Sequence, residues 1–358
     1  MSTDRSPRRH PGRAFVVGLG LAGIVVVGGC AAASSPSSAP ASGKPATIAS
    51  ALPSEAPSAT VAFDPPVDIE AAGATRITDL GQPDWLVLAG GSAWAAGVGR
   101  GVGQLDGVTG KLLGSIAVPG SICLAMDVGF DAVWVGSCGD RPMIVRIDPR
   151  TATVVASIPL GSSGDLREES SVAAGEGGVW ALTAEPEPKI VKIDPSTDGV
   201  AATYDQPRGA AAIRAAYGAL WVTDAPAGKL LHLDPKDASV VAEIPVGQVP
   251  RFLAVGEDGV WVMNQLDATV SHVDPKTDTV VATIPVGNGA IDGGDIAVGG
   301  GSVWVRVSDV LVVRIDPKTD MVVERYDPRS GSGSVAADDD ALWVSAHDVS
   351  SVWRLPLH

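Results

Sequence analysis

The sequence predicts an all-β protein, a seven-bladed β-propeller of four-stranded blades. The main observation is an internal repeat, whose units are 39 to 46 residues long. The units contain short runs of β-branched residues bounded by Gly, Asp and Pro, and no run has the length or period of a helix. Such a repeat with four strands per unit is typical of a propeller blade. One tryptophan marks each unit: Trp94, Trp134, Trp180, Trp221, Trp261, Trp304 and Trp343.

Each unit divides into four strands, a to d in chain order. In the fifth unit, AVGEDGVWV supplies strand a, a tight turn and strand b, VSHVDP supplies strand c, and VVATIPVG supplies strand d. The Asp-Pro pair at the end of strand c predicts a hairpin turn. Proline fixes φ there, and the preceding aspartate can accept hydrogen bonds from turn amides.

The two ends of the repeat region predict how the ring closes. After Trp343 the chain offers only a strand c, SSVWRLPLH, whereas TRITDLGQP near residue 75 resembles a strand d with no strands a to c before it. We therefore expect the N-terminal strand to complete the last blade. This pairing would close the ring non-covalently and leave no sheet edge open at the junction.

The repeat also assigns roles to the aromatic and imidazole side chains. A tryptophan at one position of every strand b is expected to pack between blades, where aromatic burial stabilises most; stacking on carbohydrate is the alternative. Trp85 and Trp353 lie outside the repeat and are expected to be more exposed. His232 and His272 share one strand c position with basic residues of other blades, which indicates a polar surface position and not a metal pair.

The N-terminal part of the chain is predicted to be a targeting segment. A basic stretch and an apolar run precede Cys30, and Val-Gly-Gly-Cys resembles a bacterial lipobox, so residues 1–29 are predicted to be a lipoprotein signal peptide and Cys30 the lipid attachment site. A signal anchor with a chance cysteine is the alternative. Residues 30–72 are predicted to be a disordered Ala/Ser/Pro tether, and residues 73–358 the propeller.

These features predict an exported protein held at the outer face of the cell membrane by its lipid anchor only. No second apolar stretch is long enough to span a bilayer. The formal net charge of −15 argues against nucleic acid as a partner. Cys123 and Cys138 flank a predicted a–b hairpin, and an oxidising compartment favours a disulfide between them over two buried free thiols.

In a propeller, the b–c and d–a loops share one face, which we call the loop face, and binding residues concentrate on such loops. We expect Arg251 to line the channel at this face. Further ligand-facing candidates are Asp224, Asn264, Asp267, Arg306 and Asp348. His347 is the histidine expected on this face, and with Glu168 or Glu169 it could supply acid–base chemistry. The alternative for each residue is a solvated polar rim.

The repeat ATVSHVDPKTDTVVATIPVG, with WVTD at 221–224 and WVMN at 261–264, resembles the YVTN family of β-propellers, found in surface proteins of bacteria and archaea. The resemblance covers residues 75–358 and implies the fold. The chain is also distantly similar to virginiamycin B lyase-type propellers, which use a histidine, a glutamate and magnesium. Their repeats carry Trp-Phe-Thr-Glu, and this chain has no glutamate at the matching positions.

Two hypotheses on function follow. The first is a non-enzymatic binding or scaffold module without a cofactor, whose partner is a protein, peptide or glycan at the cell surface. It rests on the regular repeat, on the predicted anchor and on the absence of the common catalytic and cofactor motifs from the sequence. The alternative is a lyase or hydrolase that uses His347, an acidic loop residue and a divalent metal.

Overall fold

A computed structural model describes residues 60–99, 101–161, 165–184, 186 and 188–357. The predicted signal peptide and Cys30 lie outside these residues. Within the described residues, helical structure is limited to a 3₁₀ turn, η1 (His347–Val349). No described helix is long and apolar enough to cross a membrane.

The described residues form seven β-sheets, one for each blade. In each sheet the four strands of the blade are antiparallel neighbours. Blade 1 contains β3 (Leu86–Ala89), β4 (Ser92–Val98), β5 (Gly101–Asp106) and β6 (Leu112–Ala117); blade 2 contains β7 (Ser121–Gly129), β8 (Ala132–Cys138), β9 (Met143–Asp148) and β10 (Thr153–Pro159); blade 3 contains β11 (Val172–Gly175), β12 (Gly178–Leu182), β13 (Lys189–Asp194) and β14 (Gly199–Asp205); blade 4 contains β15 (Ala210–Ala216), β16 (Ala219–Asp224), β17 (Lys229–Leu233) and β18 (Val240–Pro245).

Blade 5 contains β19 (Pro250–Gly256), β20 (Gly259–Asn264), β21 (Thr269–Asp274) and β22 (Thr279–Pro285); blade 6 contains β23 (Asp295–Gly299), β24 (Ser302–Arg306), β25 (Val312–Asp316) and β26 (Met321–Asp327); blade 7 contains β27 (Val335–Ala337), β28 (Ala341–Ala346), β29 (Ser351–Pro356) and the N-terminal β2 (Thr75–Ile77). The first strand of each blade contacts the first strand of the next, and β27 contacts β3. These contacts close the ring around a central channel and confirm the predicted seven-bladed propeller.

The last blade is completed as expected. Strand β2 pairs antiparallel with β29, with Arg76 opposite Trp353, and takes the place of strand d. The N-terminal part contributes a second strand as well, because β1 (Val67–Asp68) pairs in parallel with the outer edge of β26. Ordered structure thus begins before residue 73, and the predicted tether boundary is too late.

The repeat tryptophans form the core between blades. All seven are at most 1% exposed. In the first six blades, the indole Nε1–H donates to the carbonyl oxygen five residues earlier, across the a–b turn, at 2.9–3.1 Å. This bond satisfies the polar end of a buried ring. Trp85 and Trp353 are 3% and 0% exposed, so the expectation that they are exposed is wrong.

In several blades, the strand c side chain next to the tryptophan links that blade to the next. His272 stacks on Trp261 with ring centroids 3.8 Å apart, and its Nδ1 lies 2.8 Å from the carboxylate of Asp320 in the c–d turn of blade 6. His232 reaches the c–d turn of blade 5 in the same way. Arg146 of blade 2 bonds to Asp198 of blade 3 at 2.9 Å. These side chains therefore join blades and are not simply surface groups.

The turns follow the sequence rules. In six a–b hairpins, two consecutive turn residues have positive φ, as the twist of a two-residue hairpin requires. Phe130 and Asp131 form such a turn in blade 2. Beyond it, Cys123 and Cys138 are joined by a disulfide with their Cα atoms 5.4 Å apart. In the c–d turns the aspartate before proline accepts the amide two residues on, as Asp274 does from Lys276 at 2.8 Å, and this bond is the largest cause that lowers the pKa of Asp274.

Candidate functional site

Four charged or imidazole side chains meet where the channel reaches the loop face. We call Asp84, Glu169, Arg251 and His347 the loop-face cluster. Nδ1 of His347 lies 3.2 Å from Oδ2 of Asp84, a close contact but outside hydrogen-bond geometry. Burial raises the pKa of Asp84, and the charge of Glu169 raises it further, whereas His347 opposes the shift. The imidazole side chain is 35% exposed, so it remains open to a ligand on this face.

The other half of the cluster is an ion pair across the channel mouth. Nη2 of Arg251 in blade 5 bonds to Oε2 of Glu169, which precedes blade 3. The Arg251 side chain is 45% exposed and its guanidinium lies 5.2 Å above the Phe252 ring. Arg251 therefore sits over the channel mouth, on the face where the sequence placed it.

Four residues near this pair have a strained backbone. Leu124, Glu169, Ser170 and Val249 all have positive φ between 47° and 56°, a region that residues with a Cβ seldom adopt, β-branched valine least of all. Tertiary contacts hold the strained segments: the Glu169 amide donates to the carbonyl of Cys123 at 3.0 Å. Strained backbone of this kind is frequent at functional sites.

Two ligand-facing candidates are buried, and the structure corrects them. Arg306 is fully buried and bonds to neutral acceptors, among them the carbonyl of Gly331 at 2.6 Å and the hydroxyl of Ser330 at 2.8 Å. Burial lowers its pKa to about 10, so it stays charged at neutral pH and holds the loops between blades 6 and 7. Asn264 is also fully buried and donates to the hydroxyls of Thr269 and Ser271.

The remaining candidates are spread around the rim of the loop face. Asp224, Asp267 and Asp348 each accept a backbone amide, from Ala227, Gln248 and Gly331 respectively. Glu168 is exposed and lies next to Glu169 in the cluster. The structure thus brings together Glu169, Arg251 and His347 but not these rim residues.

Below the cluster, two aromatic rings close the channel. Trp85 of blade 1 and Phe252 of blade 5 pack with their centroids 5.8 Å apart. Blades 1 and 5 are not neighbours in the ring, so this contact crosses the channel. Both rings are at most 3% exposed. The loop face is therefore a platform with a closed centre.

The channel beneath the aromatic pair is a cavity of about 330 Å³. Its walls follow the first strands of the blades to the opposite face, which carries the a–b and c–d turns and which we call the turn face. Three charged side chains line it: Asp127, Arg214 and Asp295. Burial raises the pKa of Asp127, and raises the pKa of Asp295 to about 6; Arg214 opposes both shifts.

In the described part of the chain, no group of three or more His, Cys, Asp or Glu side chains could hold a metal ion. A metal at the loop-face cluster would have only Asp84 and His347 in mutual contact, because Glu169 bonds to Arg251.

Comparisons with known proteins give the fold. No family model matches the chain, and no curated protein does. Among solved structures, virginiamycin B lyase from Staphylococcus aureus is similar with a TM-score of 0.64 and 15% identity, over 80% of this chain and 99% of that one. A catalytically inactive variant of that lyase with quinupristin gives 0.65 and 13%, over 80% and 99%. The WD40 repeats of RRP9 give 0.65 and 11%, over 82% and 99%.

At such identities the likeness shows the fold alone, and the chain is a seven-bladed β-propeller whose fold is shared by a lyase and by WD40-repeat proteins.

Sequence reasoning missed Asp84 and two of the three charges of the channel. A repeat alignment would have found two of them: Asp127 and Arg214 stand seven residues before their blade's tryptophan, where the other five blades carry Val or Ala. Asp295 stands nine residues before Trp304, at the position that Trp85 and Phe252 fill in their own blades. A charge or a large ring at these strand a positions signals the channel.

The contrast between the two arginines is testable. Replacing Arg306 by Met leaves several buried carbonyl oxygens without a donor and should lower the free energy of unfolding by about 3 kcal/mol or more. Replacing Arg251 by Met removes one partly exposed ion pair and should cost less than about 1 kcal/mol. Urea unfolding followed by tryptophan fluorescence measures both. Equal losses would contradict the assignment of Arg306 as an internal support.

Proposed function

We propose that the protein is an exported, lipid-anchored propeller that binds a protein, peptide or glycan on its loop face without catalysing a reaction. The observation that carries this proposal is the closed platform. The Trp85–Phe252 pair blocks the channel at this face, and the exposed parts of Arg251, Glu169 and His347 lie around it. A partner that is larger than a metabolite can rest on such a surface, and a rigid ring keeps the charges in place without a large ordering cost on binding.

The charges of the loop-face cluster indicate what the partner presents. Arg251 is half-exposed and offers donors to carboxylate or sulfate groups, while Asp84 and Glu169 offer acceptors to basic or hydroxyl groups. Their opposite signs within one small area favour a partner with both donors and acceptors. Peptides and glycans have this property.

Charge reversal tests the binding face. Residues 31–358 would be applied to peptide and glycan arrays as wild type, as Arg251→Glu and as Lys276→Glu. Lys276 is an exposed lysine in a c–d turn, on the opposite face. The Arg251 variant should lose about tenfold or more in affinity for the best wild-type ligands, and the Lys276 variant should lose little. Equal behaviour of the two variants, or no bound ligand, would contradict binding by the loop face.

The lipid anchor has its own test. The full chain and its Cys30→Ala variant would be expressed in a bacterial host that processes lipoproteins, and then partitioned with Triton X-114. Wild type should enter the detergent phase and the variant the aqueous phase, because acylation is the proposed source of membrane affinity. A Cys30→Ala protein that still partitions into detergent would indicate a signal anchor instead.

A second candidate, a lyase that opens a cyclic peptide, is favoured by the contact between His347 and Asp84. Oδ2 of Asp84 lies 3.2 Å from Nδ1 of His347, and a carboxylate beside an imidazole can orient the ring for general-base catalysis. The solved lyase with the same fold was crystallised with quinupristin, which makes that compound the natural first substrate to try.

Incubation with quinupristin, with and without EDTA, tests this candidate. If it is correct, chromatography will show ring opening by the wild type, and His347→Ala will lower the rate by about 100-fold or more. Lys276→Glu, at an exposed residue of the opposite face, should leave the rate unchanged. The absence of ring opening, or equal rates for wild type and His347→Ala, would rule out this activity for His347.

A further inference from the structure

We propose that the central channel is a second binding site, which opens on the turn face and takes a small apolar α-amino acid. The ligand's carboxylate would bind Arg214, and its ammonium group would lie beside Asp127 and Asp295. This site is separate from the loop-face cluster because the Trp85–Phe252 pair lies between them.

The shape of the channel is suited to a small ligand. The cavity of about 330 Å³ is closed at the loop face by Trp85 and continues along the first strands to the a–b turns of the turn face. This volume lies at the lower end of the range for small-molecule sites, roughly 300–1,000 Å³. A pocket of this size, closed at one end and open at the other, suits a metabolite and not a protein segment.

Arg214 is positioned to bind the carboxylate of the ligand. Its Nη1 donates to the carbonyl of Ile213 at 2.8 Å, and no described carboxylate forms an ion pair with it. The guanidinium has five N–H donors in a planar fork, so most of them remain for a ligand in the cavity. A carboxylate is the group that this fork binds in two-pronged fashion.

Asp127 and Asp295 are positioned to bind the ammonium group of the ligand. Oδ2 of Asp295 accepts the Ser334 hydroxyl at 2.7 Å, and Oδ2 of Asp127 accepts the Ala174 amide at 2.8 Å. Burial raises the pKa of both carboxyl groups and the positive charge of Arg214 opposes this rise, but neither forms an ion pair with the guanidinium. With both carboxylates ionised, the cavity has one more negative than positive charge, which a ligand ammonium group balances. Separate charges of both signs in one cavity match a zwitterion.

The apolar walls of the cavity favour a ligand with an aliphatic side chain. Around the charged groups and towards the turn face, the cavity is lined by apolar side chains that include Val87, Leu88, Val128, Val255 and Val298. An aliphatic side chain such as that of leucine would bury its surface there, at about 25 cal/mol per Å² of apolar area. Polar or charged amino acids would lose this contribution.

Calorimetric titration of residues 31–358 with leucine tests the site. Leucinamide, which lacks the carboxylate, and 4-methylpentanoate, which lacks the ammonium group, distinguish a zwitterion site from a simple cation or anion site. Leucine should bind, and both analogues should bind at least about tenfold more weakly. Equal binding of either analogue, or no heat with leucine up to about 10 mM, would overturn the proposal.

Variants of the channel residues test which residue binds the carboxylate of leucine and which binds its ammonium group. Arg214→Gln should abolish leucine binding, and Arg214→Lys, which keeps the charge but not the fork, should weaken it about tenfold. Asp127→Asn should weaken leucine but not 4-methylpentanoate. Arg251→Met, on the loop face, should bind leucine as wild type does. Unchanged leucine affinity in Arg214→Gln would overturn the site, and urea midpoints near the wild-type value would show that the variants are folded.

Discussion

The burial of one tryptophan per blade between neighbouring sheets is the interaction on which the structure depends. Each ring fills the space between blades, and in six blades its N–H is satisfied by a carbonyl of its own a–b hairpin. In several blades the strand c side chain then lies over the ring and reaches the c–d turn of the next blade, as His272 does with Asp320. Apolar packing therefore sets the distance between blades, and the polar contact fixes their relative position.

The same constraint explains the ring closure. Blade 7 has no c–d turn, because its fourth strand, β2, comes from the N-terminal part of the chain. Arg314 of blade 6, at the strand c position next to the tryptophan, accordingly pairs with Glu324 of its own blade at 2.9 Å. At the other side of blade 7, Arg354 donates to the carbonyl of Gly107 in blade 1 at 2.6 Å. Pairing of β2 with β29 thus replaces a covalent turn.

Ring geometry also separates two sites on one scaffold. Trp85 and Phe252 occupy the position that carries Asp295 in blade 6, and their contact across the channel divides the loop-face cluster from the charged cavity. Above the pair, exposed charges surround a closed platform suited to a large partner. Below it, Asp127 and Arg214 lie in a pocket suited to a small one. Two aromatic residues at one repeat position produce this division.

The sequence by itself determined the number of blades, the strands of each blade and the N-terminal closure, because the tryptophan recurs seven times and the turn chemistry between the strands is a local signal. It could also place Arg251 and His347 on the loop face, since each follows from its position in the repeat. Only the tertiary structure decided that Arg306 and Asn264 point inward and that Asp84 meets His347. Such contacts join residues far apart in the chain, and side-chain direction at a loop depends on how neighbouring blades pack.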